Sequence, residues 1–503
     1  MSTLSPSPHS LDRRLRRGLL ALGLIFLVWR VPVMYLDPGG QDEDFYAVPG
    51  LTILQDGIPR LPHVPARNRE SAFYRADEIL YAEPPLYFYY QAAFYAVLPD
   101  LYGTGRLASG VAGLLLMVLM ALLARRLGAT VGATLWGVGL FSICRWFFFH
   151  AIAARPDLLC TAFGIAGLLA TLSWQSTGQA RWLLIAGTMI GLGGLTHPFA
   201  IVYAVQIAAW LCLMARGWRR VTVPVIVALT AIAVASLWGL LIVQHPDIFQ
   251  IQFRNQFLQP GSEPLWLRLV WPWASLAYHA GKLWEQVGPW QCLLAIGGWA
   301  ASGVLGWRNR NPDLIRLWWL TGTATWLIAA LVGTHHPVYG YWSYPAALAF
   351  LGLGWGLDCR LGSLRLAGRP RQFAHVAIGL LLVATMIPGS GLRTLVAHLR
   401  HGNDINYHAP RFARALLDAI PADAVCVVDT EFALDFVAAG RKTLMAQTLP
   451  LYFRADQSRY DYLLVSRHGR DLDIAKALHG RLVETRGHRD DLFACYVEIY
   501  VPE

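Results

Sequence analysis

Repeated apolar runs, long enough to cross a lipid bilayer, are the feature that most constrains this chain. Of its 503 residues, 55% are hydrophobic and 15% are charged, and the mean hydropathy is +0.40. A membrane-spanning helix needs about 20 predominantly apolar residues, and about eleven segments approach that length. The predicted spans lie at roughly 18–36, 106–124, 129–148, 157–174, 182–196, 199–214, 221–243, 289–306, 317–333, 345–358 and 373–388. The sequence therefore predicts a polytopic α-helical membrane protein.

The N-terminus has the charge pattern of a signal peptide but not the cleavage site. Four arginines between residues 13 and 17 precede an apolar run over 18–29. A cleaved signal would continue into a small-x-small motif, whereas this chain continues through Trp29 and Arg30. We therefore predict a cytoplasmic basic tail over 1–17, followed by an uncleaved first span.

Positive charges are concentrated in alternate loops. Arginines cluster near 125–126, 216–220, 308–316 and 360–371, and the loops between these segments hold most of the carboxylates and histidines. The positive-inside rule then predicts a cytoplasmic N-terminus and an extracytoplasmic C-terminus in a bacterial-type inner membrane. The net charge of +10 is explained by this topology, so we expect contact with membrane lipids and not with nucleic acid.

The composition changes near residue 390, after the last apolar run. Three segments, 424–430, 460–467 and 493–501, have the pattern of strands, and they alternate with helical patterns at 411–420, 431–440 and 471–480. Alternating strands and helices predict a small extracytoplasmic α/β domain over 390–503. It lacks a glycine-rich phosphate loop. Its cysteines, Cys426 and Cys495, are expected either to form a disulfide or to be two separate buried thiols.

Ionisable and aromatic side chains gather in the predicted outer loops, close to the membrane boundary. The first of these loops, 37–105, is long and carries the acidic run 42–44 and Glu83. Later outer turns carry Arg155 with Asp157, then His197, then the segment "HHPVYGYWSYPA" at 335–346. Because ionisable groups at membrane depth are costly, they indicate a functional site.

A simpler explanation stands beside each of these residues. The run 42–44 is also compatible with a solvated loop or a helix start, and Glu83 precedes a rigid two-proline turn. Asp157 is placed to cap a helix, and His197 to end one. The histidine pair 335–336 lacks a third ligand at helical spacing, so it favours an interfacial turn as much as a metal site.

The aromatic stretch 84–99 within the first outer loop is apolar but only about 16 residues long, which is short for a span. It predicts an interfacial helix that forms a lid or groove over the site. The alternative is a re-entrant span.

Six segments together resemble a known family. They are "DEDFYA" (42–47), "YAEPPLYFYY" (81–90), "YGTGRLASGVAG" (102–113), "ARPDLLCTAFG" (154–164), "GGLTHPFA" (193–200) and "HHPVYGYWSYPA" (335–346). This set is similar to the motifs of GT-C glycosyltransferases that use polyprenyl-phosphate sugars, in the branch of protein O-mannosyltransferases and lipid A aminoarabinose transferases. The resemblance covers most of 20–360. Two family lysines are absent: Pro84 and His197-Pro198 occupy their positions.

The resemblance implies a GT-C-like catalytic domain over 18–388 and a set of site residues. Asp42 would be the general base, and Glu43 and Glu83 would orient the acceptor or hold Mg²⁺ or Mn²⁺. The residues expected to meet the donor phosphate are Arg106, Arg155, His197, His336 and Tyr344. The further substrate-binding residues are Asp44, Tyr46, Asp157 and Tyr341.

The implied reaction is transfer of a sugar from a polyprenyl-phosphate donor to a hydroxyl of a protein, lipid or glycan at the outer face. A rival enzyme class is an envelope oligosaccharide ligase or polymerase, which also uses a lipid-phosphate donor. A secondary transporter is a further alternative, but transporters are typically built from repeated halves, and this sequence contains no internal repeat.

Overall fold

The computed structural model describes residues 12–40, 42–257, 264–334, 339–363, 369–446, 459–467 and 472–503. Helices make up most of this structure, and a small sheet follows them near the C-terminus. The helices are α1 (Arg13–Leu36), α2 (Glu43–Asp56), α3 (Leu86–Tyr95), α4 (Tyr102–Arg126), α5 (Val131–Ile143), α6 (Arg145–Ile152), α7 (Asp157–Thr177), α8 (Arg181–Thr196), α9 (Ala200–Met214), α10 (Arg219–Ala235), α11 (Gly239–Ile242), α12 (Pro246–Phe257), α13 (Leu265–Val270), α14 (Trp273–Gln286), α15 (Pro289–Arg308), α16 (Pro312–Val332), α17 (Ser343–Ser363), α18 (Arg369–Met386), α19 (Leu392–Arg400), α20 (Ala409–Ala419), α21 (Ala433–Ala438) and α22 (Leu472–Ala477).

The predicted spans coincide with helices of the structure, and the protein is a helical membrane protein. In the part of the chain that the structure describes, five helices are long and apolar enough to cross a bilayer: α1, α4, α7, α16 and the continuous segment Arg219–Ile242. The bent pair α5–α6, with 59° between its halves, gives a sixth candidate, and α8 and α9 are shorter apolar helices. The count of eleven spans stays a prediction.

Close helix packing in the bundle depends on glycine. A Cβ atom on Gly298 of α15 would lie 2.1 Å from the Ala349 carbonyl oxygen of α17. One on Gly354 of α17 would lie 2.3 Å from the Ala133 carbonyl oxygen of α5. Because lipid offers no hydrophobic driving force between helices, small residues that let backbones approach are what membrane helix packing requires.

The first long loop, 37–105, folds over one end of this bundle as α2, α3 and the chain between them. The helix α3 has ten residues, shorter than the predicted 84–99. Its inner face is buried, and the Tyr87 hydroxyl lies 2.5 Å from Ser109 Oγ of α4. Thus α3 is fastened to the bundle.

The C-terminal region contains a five-stranded mixed sheet. Its strands are β1 (Val425–Val428), β2 (Lys442–Met445), β3 (Tyr462–Ser466), β4 (Gly480–Gly487) and β5 (Tyr496–Pro502), in the order β2-β1-β3-β5-β4. The strand β1 pairs in parallel with β2 and β3, and β5 is antiparallel to β3 and β4. The sequence predicted β1, β3 and β5 but not β2 and β4. Cys426 and Cys495 are separate buried thiols.

The sheet domain packs directly on the first long loop. The Gly39 amide donates to the Glu431 carbonyl at 3.0 Å, and the Met445 amide donates to the His63 carbonyl at 2.9 Å. The domain therefore lies at the same end of the bundle as the loop 37–105.

Candidate active site

A saturated ion pair closes the turn between α1 and α2. Arg106 donates to both Glu43 oxygens, from Nε at 2.9 Å and from Nη2 at 2.5 Å. The Gly40 and Ala154 amides also donate to Glu43, at 2.6 and 2.8 Å. Burial opposes ionisation of Glu43, but Arg106 and these hydrogen bonds hold its pKa below the usual range.

The N–H groups of Arg106 are likewise all used in hydrogen bonds within the protein. Its other N–H groups donate to the carbonyl oxygens of Met34, Asp37 and Pro38, at 2.6–3.0 Å. A guanidinium has five N–H donors, and all five are directed at oxygens of this chain. The Arg106–Glu43 pair therefore joins the end of α1 to α2 and α4.

Asp44, the next acid, is also buried and paired. Its Oδ2 lies 2.8 Å from His63 Nε2, and its Oδ1 accepts a hydrogen bond from Thr430 Oγ1 at 2.8 Å. Both oxygens thus face protein groups, one in the first long loop and one in the sheet domain.

Asp42 has the opposite environment, although it precedes Glu43 directly. Its side chain is 47% exposed, and its Oδ2 lies 4.0 Å from Arg155 Nη1. Its φ of 66° is in the left-handed region, which aspartate tolerates better than most residues. This backbone turn separates Asp42 from the two buried acids and leaves its side chain partly exposed to solvent.

Arg155 is a buried cation next to Asp42. Its Nε donates to Asp157 Oδ2 at 3.2 Å, and its guanidinium lies over the rings of Tyr46 and Tyr341, at 5.2 and 6.0 Å. Asp157 thus fixes the Nε end of the guanidinium. Its Nη1 lies 4.0 Å from Asp42 Oδ2.

Asp157 is held between two basic side chains and does not cap its helix. It is the first residue of α7, and its Oδ2 lies 3.2 Å from His150 Nδ1 and from Arg155 Nε. The N-cap position is Pro156, with no side-chain hydrogen bond. The charge of Asp157 thus fixes the orientation of Arg155.

Glu83 has a partly open carboxyl group. Its Oε1 lies 3.4 Å from the Tyr46 hydroxyl and from Gln256 Nε2, whereas its Oε2 finds no hydrogen-bond partner among the described residues. Burial is the main reason that its pKa is raised to about 8, with Asp157 and Asp42 adding to the effect and Arg155 opposing it.

His197 and the tyrosines form the aromatic wall of the site. The His197 ring lies 5.8 Å from that of Tyr341, and Phe199 packs at 4.5 Å from Tyr341 and 6.0 Å from Tyr344. Burial lowers the pKa of His197 to about 4, so this ring is neutral at pH 7. His336 lies outside the described residues.

The three acids proposed for a divalent cation do not converge. Among the described residues no group of three His, Cys, Asp or Glu side chains is arranged to hold a metal ion. Glu43 has no oxygen to offer, because both are occupied by N–H donors. The set Asp42, Glu43 and Glu83 therefore does not fit Mg²⁺ or Mn²⁺.

Eight of the predicted site residues fall into two groups in the structure. Five of them lie close together around the Arg155 guanidinium: Asp42, Glu83, Tyr46, Arg155 and Tyr341. Glu43, Asp44 and Arg106 instead hold the loop together.

Sequence reasoning missed three residues that support the site, namely His63, Gln252 and Thr430. Gln252 is buried and hydrogen-bonds the backbone of Tyr74, Ile79, Tyr81 and Ala82, next to Glu83. An available signal was the position of Thr430 just after β1, because the carboxyl ends of parallel strands often form sites.

Comparison with known proteins gives a consistent picture. Residues 82–239 match the family model described as dolichyl-phosphate-mannose-protein mannosyltransferase. ArnT from Cupriavidus metallidurans in the apo state is 16% identical, with a TM-score of 0.56 over 96% of this chain and 97% of that chain. The same enzyme bound to undecaprenyl phosphate has the same values. AglB from Archaeoglobus fulgidus, an oligosaccharyltransferase in complex with an inhibitory peptide and a dolichol-phosphate, is 12% identical, with a TM-score of 0.54 over 90% of this chain and 69% of that chain. A search of curated proteins gives no match.

The structure is thus an apolar helical bundle whose acidic first loop packs against a small C-terminal sheet. Residues 82–239 therefore resemble the mannosyltransferase family, and the fold of the chain over nearly its whole length is similar to that of ArnT.

Proposed function

We propose that this protein transfers a sugar from a polyprenyl-phosphate donor to an acceptor hydroxyl, at the extracytoplasmic face of a bacterial-type inner membrane. One observation carries the proposal: an exposed carboxylate, Asp42, stands 4.0 Å from a buried guanidinium, Arg155. This reaction needs a base for the acceptor and a cation for the leaving phosphate, close together and near the bilayer.

The chemistry is a displacement at the anomeric carbon. The acceptor oxygen bonds to C1 of the sugar as the bond between C1 and the phosphate oxygen breaks, and the electron pair of that bond passes to the phosphate. Asp42 takes the acceptor proton, a role worth about 10²–10⁴-fold in rate. Arg155 stabilises the charge that develops on the phosphate.

Glu83 and the aromatic residues hold the reactants in place. A carboxyl group with a pKa of about 8 is largely protonated at neutral pH, so Glu83 can donate a hydrogen bond to the acceptor or the sugar. Tyr46 and Tyr341 flank Arg155 and line the sugar position, with neutral His197 as a hydrogen-bonding neighbour.

Four of the predicted roles change with this geometry. We assign Arg106 and Glu43 to holding the loop and not to phosphate, acceptor or metal, because their polar atoms are already used. Asp44 is likewise placed behind the site. Asp157 acts through Arg155 by fixing its Nε.

The test is transfer of radiolabelled sugar from a panel of polyprenyl-phosphate sugars by membranes that contain the wild type, Asp42→Asn or Asp56→Asn. Asp56 is the matched control, since it is an acid at the far end of α2 that pairs only with Arg60 among the described residues. We expect Asp42→Asn to lose at least about 100-fold, with expression unchanged, and Asp56→Asn to keep wild-type transfer.

Each other outcome changes the proposal. Equal transfer by all three proteins would remove Asp42 from the mechanism and make Glu83 the base to test. No transfer by the wild type with any donor would overturn the donor class and favour an envelope ligase or a transporter.

A further inference from the structure

A single threonine of the sheet domain reaches the acidic end of α2. Thr430 follows β1, and its hydroxyl donates to Asp44 Oδ1 at 2.8 Å, with the Gly40 carbonyl at 3.1 Å as a second acceptor. Asp44 is fully buried, and so is Thr430. The contact therefore joins the C-terminal domain to a residue two positions from Asp42.

The backbone at Thr430 is also fixed by a residue of the helical bundle. The Tyr102 hydroxyl donates to the Thr430 carbonyl at 2.5 Å and accepts from the Leu434 amide at 3.2 Å. Tyr102 is one helical turn before Arg106 on α4, and its ring lies under that guanidinium. One end of α4 thus holds Thr430 by Tyr102 and Glu43 by Arg106.

There is no spare room in this contact. A Cβ atom on Gly39 would lie 2.7 Å from the Thr430 carbonyl oxygen and from the Tyr102 ring. With His63 on the other oxygen of Asp44, the acid is held from two sides. Asp42 has a left-handed backbone. Such a strained conformation persists only where the surrounding structure fixes it, and we infer that residues 43 and 44 do so here.

We infer that Thr430 is a positioning residue for the transfer reaction, so that the sheet domain completes the active site. The domain supplies the hydroxyl that fixes Asp44, and Asp44 fixes the turn that presents Asp42. A misplacement of about 1 Å at a reacting group can cost 100-fold in rate. This inference rests on the proposed function for its kinetic effect but not for its structural one.

The experiment compares Thr430→Val, Thr430→Ser and the control Thr485→Val in the full-length protein. Valine keeps the shape and removes the hydroxyl, whereas serine keeps the hydroxyl. Thr485 is exposed on β4. We expect Thr430→Val to lower kcat about 10- to 100-fold with little change in the KM for the donor. Thr430→Ser should recover kcat to within about three-fold, and Thr485→Val should match the wild type.

A second measurement separates this inference from the proposed function. Hydrogen exchange of the peptide that contains residues 42–46 should rise in Thr430→Val and not in Thr430→Ser. If the wild type transfers no sugar, the proposed function falls and the exchange data alone decide whether Thr430 fixes the turn. Unchanged exchange in Thr430→Val, wild-type kcat in that variant, or an equal loss in the valine and serine variants would overturn the inference.

Discussion

Two arginine–carboxylate pairs lie side by side in this structure, and their carboxylates differ in exposure to solvent. In the first, Arg106 and Glu43 use all their polar atoms on each other and on the backbone. In the second, Asp42 and Arg155 are 4.0 Å apart, and Asp42 is half-exposed. Adjacent acids in the sequence therefore have different environments: Glu43 is enclosed in a framework, whereas Asp42 is half-exposed beside a buried arginine, where we propose that the substrate binds.

The largest effect is expected from breaking the saturated pair. In Glu43→Gln the buried Arg106 loses its counter-ion, and removal of one partner of a buried pair costs about 3–5 kcal/mol. Thermal unfolding in detergent should show a large loss of stability and a low yield of folded protein. Glu78→Gln, in the exposed pair with Arg75, is the control and should change stability by less than about 1 kcal/mol. Equal stability of Glu43→Gln and the wild type would contradict the framework role.

The next largest effect is expected in the second pair, from changing Arg155. Arg155→Lys keeps the charge but replaces the planar fork, which can bond Asp157 through Nε and a phosphate through its Nη atoms, by a single nitrogen. We expect a fall of about 10- to 100-fold in kcat/KM with normal folding. Arg60→Lys, in the exposed pair with Asp56, should retain activity. Full activity of Arg155→Lys would show that the fork is not needed.

A smaller effect is expected at the support of Glu83. Gln252→Met removes four hydrogen bonds to the backbone between Tyr74 and Ala82. Buried groups left without partners cost about 1–3 kcal/mol. The melting temperature and the transfer rate should both fall, while Gln244→Met, at an exposed position after α11, should leave both unchanged. A melting temperature equal to that of the wild type would exclude this supporting role.

The smallest effect concerns pH. The folded-state pKa of Glu83 is about 8, above the value of about 4.3 for a free glutamate. The folded protein therefore binds the proton more strongly, and this contribution to the free energy of unfolding is lost as pH rises from about 4.3 to about 8. Glu431 and Asp435 also have raised pKa values because of burial. The measurement therefore compares the pH dependence of the free energy of unfolding between Glu83→Gln and the wild type. The stability of Glu83→Gln should fall less steeply with pH than that of the wild type, and equal slopes would contradict the raised pKa.

The helical bundle and the acidic loop could be predicted because each depends on residues that are close together in the sequence. Apolar length reveals the spans, and the segments around Asp42 and Glu83 resemble family motifs. Local pattern could not tell Glu43 from Asp42, since the difference comes from Arg106, 63 positions away, and from a left-handed backbone at one residue.

The hydrogen bonds by which distant segments support the site could not be predicted from the sequence either. Thr430 meets Asp44 across 386 positions, and Gln252 meets Tyr81 across 171. Such contacts are made by folding and carry no local signal. The edge strand β4 was missed for a different reason, because its side chains are mostly exposed and lack the alternation that marks a half-buried strand.

The most direct test of the two-pair account is the transfer rate per folded molecule of purified Asp42→Asn and Glu43→Gln, each measured with its melting temperature. The account predicts that Asp42→Asn melts like the wild type and loses at least about 100-fold in rate. It predicts that Glu43→Gln melts far lower and that its folded fraction keeps more activity than Asp42→Asn. A stable Glu43→Gln without activity, beside an active Asp42→Asn, would contradict the account and make Glu43 the reacting acid.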